Sequence, residues 1–304
     1  MSVLGVGEGI PAVMDGDAWL RGARQAAETG ASREQVVTAT IGRVEKARAS
    51  GLIDSDAQAY LSAQKAFAEE NDPYSMAELG GIADGFGIAF DDLFTHLHLG
   101  TLGDLARGAE LDSDGCSALG AGNTEDGPLV AKNRDFSGTH LGVQKVFRHT
   151  GPDISTGTML AIGSLGSPCA YSSGMNAAGL LLADTQVGVR SHRVGWLRYF
   201  LMNRILASCA TVDEAIAFVR RVPHAGGGTL VLADHTGAAA SIELGAHAVA
   251  VERGGIARRT NHFVTSELAA ETLDPGDDRI AANSRKRLDY LDHALPRIAW
   301  TVAD

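Results

Sequence analysis

The sequence predicts an α+β layered fold built on antiparallel sheets. Three observations carry this. Helical periodicity dominates up to about residue 115, strand-like runs dominate after it, and one pair of helices interrupts the strands before they resume. In the first part, Ala18 to Glu28 is alanine-rich with an amphipathic rhythm. Ser32-Arg33-Glu34-Gln35 opens a second helix with the residues of a capping box, and that helix runs to about Ser50. Asp54 to Glu70 reads as a third. Tyr74 to Phe86 is a fourth, with Gly80, Gly81 and Gly85 inside it and Gly87 past its end, a pattern of close helix packing and helix termination. Phe90 to Leu102 is a fifth, with Asp91 and Asp92 at its positive end.

In the second part, Cys116 to Leu119 and Leu129 to Lys132 form a predicted hairpin across the polar turn Asn123 to Pro128. Strands are predicted at Val143 to Thr150, Thr158 to Ile162, Cys169 to Ser173 and Gly179 to Asp184. The helices Trp196 to Ala207 and Thr211 to Arg220 follow, with Thr211 as N-cap. Strands return at Thr229 to Asp234, Ala239 to Glu243, Ala248 to Arg253 and Ile256 to Thr260, and Asp277 to Leu295 is helical. There is no internal repeat and no low-complexity segment.

Composition narrows the function classes. The chain has 304 residues, 45 % hydrophobic and 21 % charged, which is ordinary for a globular protein. A net charge of -11 argues against non-specific binding to nucleic acid or anionic membranes. Three cysteines, Cys116, Cys169 and Cys209, make neither a disulfide framework nor a metal-spaced pair, so a reducing, cytoplasmic setting is expected and no metal or cofactor. Met1 to Asp17 lacks a basic region followed by an apolar core, and no apolar run reaches membrane-spanning length.

The residue types that bear chemistry gather after Cys116. Cutting the Gly115–Cys116 bond would give Cys116 a free α-amino group with a pKa near 8, able to act as base toward its own thiol. Asn133-Arg134-Asp135 ends the next strand, where a carboxylate can hold that ammonium; the alternative is a surface cluster at a strand end. Ser172 to Gly179 reads as strand, tight turn, strand. Asn176 there can aim its amide at an oxyanion or simply tolerate the turn geometry.

Arg259-Thr260-Asn261-His262-Phe263 offers Asn261 as a donor. His262 tempts as a general base, but an N-terminal nucleophile uses its own amine, which leaves His262 a structural role. Asn283 to Leu288 is either a solvated basic face or a segment from which Ser284 and Arg285 point back at the nucleophile. His96 and His98 are two apart on a helix and do not face each other. Gly226-Gly227-Gly228 lacks the Lys-Ser/Thr of a phosphate loop, and there is no Gly-x-Ser-x-Gly elbow.

Taken in order, Cys116, Asn133 to Asp135, Gly174 to Leu180, Thr260 to Phe263 and Ser284 to Leu288 resemble the acyl-coenzyme A:6-aminopenicillanic acid acyltransferase family of N-terminal nucleophile (Ntn) hydrolases, which is related to the choloylglycine hydrolases. Glu78 to Ile88 is similar to that family's segment before its cleavage site. The resemblance implies a four-layer αββα sandwich of two antiparallel sheets, preceded by a helical N-terminal segment. It also implies a precursor that cuts itself before the cysteine, giving residues 1–115 and a core of residues 116–304. It further implies that Asp135 orients the Cys116 amine, that Asn261 is the leading oxyanion donor with Asn176 a second, and that Ser284 and Arg285 support the site. Choloylglycine hydrolases carry Arg three residues before the Asp; here Lys132 stands there, so bile salt hydrolysis is not implied.

The expected function is a self-processing cysteine amidohydrolase acting through an acyl-thioester on carbon–nitrogen bonds other than ordinary peptides. Its partner would be a small-molecule amide or acyl substrate. Acyl transfer to an amine and a non-cleaving scaffold are the alternatives. A homo-oligomer is left open. Pocket walls are expected from Ser137 to His149 and Gly188 to Tyr199.

Overall fold

The computed structural model describes residues 11–106, 115–135, 138–273, 279–295 and 301. A short strand, β1 (Ala12–Asp15), precedes five helices: α1 (Ala18–Arg24), α2 (Arg33–Ala49), α3 (Ser55–Asn71), α4 (Pro73–Phe86) and α5 (Phe90–Leu105). Their starts follow from their caps. Asp17 accepts from the Leu20 N–H, Ser32 and Gln35 close the predicted capping box, and Asp54 and Asp72 cap α3 and α4. The α1 helix is shorter than its pattern suggests, ending at Arg24 and tightening into a 3-10 turn at Gln25–Ala27.

Glycines set how α1 meets α4. A Cβ on Gly22 would stand 2.0 Å from the Glu78 carbonyl oxygen, and one on Gly81 would stand 1.9 Å from that of Trp19. Only glycine lets these backbones touch. Gly87 ends α4 in the left-handed region, with φ 60°.

The strands that follow are β2 (Ser117–Ala121), β3 (Leu129–Asn133), β4 (Gln144–Thr150), β5 (Thr158–Ser164), β6 (Ser173–Asn176) and β7 (Leu180–Thr185). Next come α6 (Arg198–Ser208) and α7 (Val212–Arg221), then β8 (Thr229–Asp234), β9 (Ala239–Leu244), β10 (Val249–Gly254), β11 (Ile256–Arg259) and α8 (Arg279–Ala294). Two expectations shift. The predicted strand at Cys169 to Ser173 begins only at Ser173. The preceding N–H groups turn instead to side chains, Cys169 to Glu78 Oε1 at 3.1 Å and Ala170 to Asn203 Oδ1 at 2.7 Å. Strand β1, four residues long and too short to show a period, lies parallel to β4, with Ala12 opposite Phe147.

These elements form two sheets. One has eight strands in the order β1-β4-β5-β6-β7-β8-β9-β10, and the other has three in the order β11-β2-β3. Apart from the β1–β4 pair, neighbours run antiparallel. Alternation along each strand sends Leu180, Leu182, Leu230 and Leu232 to one face of the large sheet, where they join the helices in the main core. Ala183, Val231, Ala233 and Ala239 face the other way and pack on Ala118, Ala257 and Val130 of the small sheet. Helix α8 lies outside the small sheet, tied by the Arg258–Asp292 ion pair. The layers are therefore helices, large sheet, small sheet, helix, the αββα order.

Small residues between the sheets let the layers approach closely. The small sheet lies over β7, β8 and β9. Beyond it Ile162 of β5 and Met175 of β6 stay 47 % and 41 % exposed. Among the described residues, no helix is long and apolar enough to cross a membrane.

Candidate active site

Cys116 directly precedes β2 and is buried. Alternation from Ala118 turns its side chain toward the space between the sheets. The ladder between β2 and β3 pairs Ser117 with Asn133 and then continues outward, where the Gly115 N–H donates to the Asp135 carbonyl at 3.2 Å. This brings the Asp135 side chain against the junction. A Cβ on Gly115 would sit 2.8 Å from its Oδ2 and 3.1 Å from its Cβ. Gly115 is absent from the positive-φ glycines, so its fitness here rests on space rather than on an unusual backbone conformation. Gly115→Ala is expected to push Asp135 aside, and any cutting at this bond should slow severalfold, measurable as the fraction of intact chain by mass.

The turn after β11 comes to the same place. Thr260 offers its carbonyl to Thr185 Oγ1 at 2.6 Å, and the Asn261 amide donates to the Gln186 carbonyl at 2.8 Å, which seats the turn on the end of β7. Behind it, Ser284 Oγ accepts from the Asn261 N–H at 2.7 Å and lies 2.8 Å from His262 Nδ1. Burial lowers the His262 pKa, and the Arg285 charge adds to that. Ser284 thus acts on the turn and not on the thiol.

Arg287 is the residue of α8 that reaches the junction. Its guanidinium donates to the Cys116 carbonyl, to Ser117 Oγ at 2.9 Å and to Asn261 Oδ1 at 2.8 Å. Burial lowers its pKa, while the thiol of Cys116 and the carboxylate of Asp135 pull it back up. Sequence reasoning named Arg285 here, but Arg285 is exposed. The signal that could have corrected this is spacing. Residues three apart share a helix face, so Ser284 and Arg287 point the same way and Arg285 does not.

Asn176 is also placed differently from its expected role. Its amide donates to the carbonyls of Leu206 and Cys209, both at 2.8 Å, and its Oδ1 accepts from Leu180 N–H at 3.1 Å. It fastens the end of α6 on the helical side of the large sheet, facing away from the small sheet that carries Cys116.

Lys132 begins a chain of charges across three layers. From β3 it donates to Asp184, and Asp184 Oδ2 accepts from Arg198 Nε at 2.7 Å on α6. Burial would raise the Asp184 pKa, but Lys132 and Arg198 outweigh it and hold the carboxyl below its ordinary range. Arg134, one residue before Asp135, lies 5.2 Å over the Tyr171 ring and 3.4 Å from Ser164 Oγ. Of the expected wall Ser137 to His149, residue 137 lies outside the described residues and the rest holds the 3-10 turn Gly138–His140 and most of β4. The Gly188 to Tyr199 segment is tied down through His192, whose Nε2 stands 2.9 Å from Asp104 Oδ2.

Comparison with known proteins adds the following. The sequence pattern described as acyl-coenzyme A:6-aminopenicillanic acid acyl-transferase matches residues 122–300. Among curated protein sequences there is no match. Among solved structures, a variant of conjugated bile acid hydrolase from Clostridium perfringens is similar at 14 % identity, over 52 % of this chain and 48 % of that one, with a TM-score of 0.30. Penicillin V acylase from Agrobacterium tumefaciens is similar at 15 % identity over the same shares, with a TM-score of 0.30. The chain spans about half the length of these structures.

Proposed function

The chain belongs to the acyl-coenzyme A:6-aminopenicillanic acid acyl-transferase family, and from that premise we propose that it is a self-processing amidohydrolase whose nucleophile is the Cys116 thiol. The observation that carries this reading is the convergence at one peptide bond. Asp135 stands against Gly115 on one side, and Arg287 binds both Cys116 and Asn261 on the other.

In the first step the Cys116 sulfur attacks the Gly115 carbonyl carbon. The carbon–nitrogen bond breaks, the nitrogen takes a proton, and a thioester results that water hydrolyses. The new α-amine, held by Asp135, then accepts the thiol proton whenever the sulfur attacks a substrate amide. The amine of the substrate leaves with that proton, and water releases the acyl group as an acid. The Asn261 amide supplies an oxyanion donor, Ser284 fixes the turn that carries it, and Arg287 fixes its side chain. Passing the acyl group to an amine instead of water would make the same site a transferase, and this needs a second substrate seated where water is excluded.

The test is the intact mass of freshly purified protein. Two fragments beginning at Met1 and Cys116 are expected, and Cys116→Ala should remain a single chain. The fragments should stay together, because β1 is hydrogen-bonded into the large sheet and Arg21 is paired with Asp153 at 2.7 Å. A panel of N-acyl amines and lactams then separates hydrolysis from transfer. An uncut wild-type chain with no Cys116-dependent turnover would overturn the proposal.

A further inference from the structure

We propose that the part of the large sheet left bare by the small one is the seat for an aliphatic acyl group of the substrate, an inference that rests on the amidohydrolase reading above. The rows of side chains across that face begin inside the protein and end in the open. One row runs from buried Val231 and Ala183 through Ser173 to Ile162 and Val146. The next runs from buried Ala233 through Leu181 and Met175 to Leu160 and ends at Arg148. The buried ends are covered by β2, β3 and β11, and the same rows continue past the edge of β3 with no described strand over them, to Ile162 at 47 % exposure and Met175 at 41 %. The floor is thus an extension of the inter-sheet interface, lying beside β3, whose end leads to Asp135. An apolar surface of this kind, framed by polar groups, marks a binding site.

The polarity along the floor states what fits it. At the end near Cys116 stand Arg134, bonded to Ser164 Oγ at 3.4 Å, and Lys132, bonded to the Ser172 carbonyl at 3.3 Å. Ser164 is followed on the same face of β5 by Ile162 and then Leu160, a run of about 13 Å at the rise of an antiparallel strand. A ligand with a polar amide or carboxylate at one end and an aliphatic chain at the other matches this order. The carbonyl lies at the nucleophile, near the cations, and the chain lies along Ile162, Leu160 and Met175. Met175 adapts its shape to such a chain. Beyond Leu160 the floor ends at Arg148 of β4, which lies 3.9 Å from Asp15 Oδ2, so the apolar stretch is bounded by charge at its far edge as well.

The test uses acetyl, hexanoyl and decanoyl p-nitroanilides with the wild-type protein and with Ile162→Asp and Met175→Asp. In the wild type, kcat/KM should rise with chain length by up to about fourfold for each methylene seated. Each variant should lose about tenfold or more on the decanoyl substrate and keep the acetyl rate. In parallel, sodium decanoate should shift the methyl resonances of Ile162 and Met175 far more than sodium acetate does, a readout that needs no turnover.

Cys116-dependent acetyl turnover with a flat chain-length profile, or an unchanged profile in both variants, overturns the seat and leaves the amidohydrolase reading standing. Decanoate shifts confined to Ile162 and Met175, in a chain that stays uncut and turns over no anilide, support the aliphatic seat and overturn the amidohydrolase reading. Decanoate that perturbs these methyls no more than acetate overturns the seat. So does a variant whose main effect is a lower sedimentation coefficient, which would assign this face to contact between copies of the chain.

Discussion

Replacing Arg287 by alanine is expected to lower kcat/KM by two to three decades while the protein stays folded. The guanidinium bridges the Cys116 carbonyl, Ser117 Oγ and Asn261 Oδ1. It is only half-buried and sits on α8, outside both sheets, so its removal leaves the cores untouched. What it removes is alignment. Asn261 keeps its bond to the Gln186 carbonyl but loses the partner that fixes its oxygen, and a misaimed oxyanion donor costs about 100- to 1,000-fold in rate. The positive charge beside the sulfur is lost as well, so the acid limb of the kcat/KM profile should move to higher pH. A merely structural arginine would shift neither that limb nor kcat relative to KM. Lysine at this position should recover part of the pH shift and little of the rate, because a point charge cannot hold two oxygens and a carbonyl in the arginine's planar fork. A kcat/KM within twofold of wild type for Arg287→Ala would remove Arg287 from the proposed chemistry.

That arginine marks the limit of what the sequence makes legible. The hairpin carrying Cys116 and Asp135 was readable because two short strands and a Gly127-Pro128 turn specify local pairing, and the ladder forms with Ser117 opposite Asn133. The turn at Thr260 to Phe263 was readable as the end of a strand. Which side chain of α8 meets the turn depends on how that helix docks, and docking follows from packing that a linear motif does not contain.

Asn176 shows the same limit from the other direction. A glycine-flanked Asn looks equally fit for an oxyanion or a turn, and only the nearby end of α6 consumes both of its donor hydrogens. The run Cys169 to Ser172 looks like a strand because it is buried, yet the N–H groups of Cys169 and Ala170 are satisfied by Glu78 and Asn203, from distant segments, and that of Tyr171 by the Cys169 carbonyl.

Glu78 gives the second large expectation, and it concerns stability. It lies fully buried on α4, where its Oε1 accepts from Cys169 N–H at 3.1 Å and lies 3.9 Å from His149 Nδ1. Burial pushes its carboxyl up to about 7 from an ordinary 4.5. Arg21 and the Cys169 N–H pull it back, while Asp153 and Asp72 add to the rise. Below pH 4.5 the group is protonated whether the chain is folded or unfolded, and it costs nothing. Between 4.5 and 7 the unfolded chain gives up the proton while the folded one keeps it, so folding weakens as pH rises. Above 7 the loss levels off at about 3 kcal/mol, the free energy of that difference in proton affinity.

The buried histidines slope the other way. Desolvation drives His98 to about 4 and His140 and His149 to about 3, so acid favours the unfolded chain below 6.5. The bare profile therefore mixes opposed terms, and the difference between wild type and Glu78→Gln isolates one. Glutamine keeps the acceptor for Cys169 and turns its amide toward neutral His149. The variant should match wild type near pH 4.5 and exceed it by about 3 kcal/mol at pH 8 in denaturant melts. A constant difference across that range would mean that Glu78 holds its proton no more tightly in the folded chain than in water.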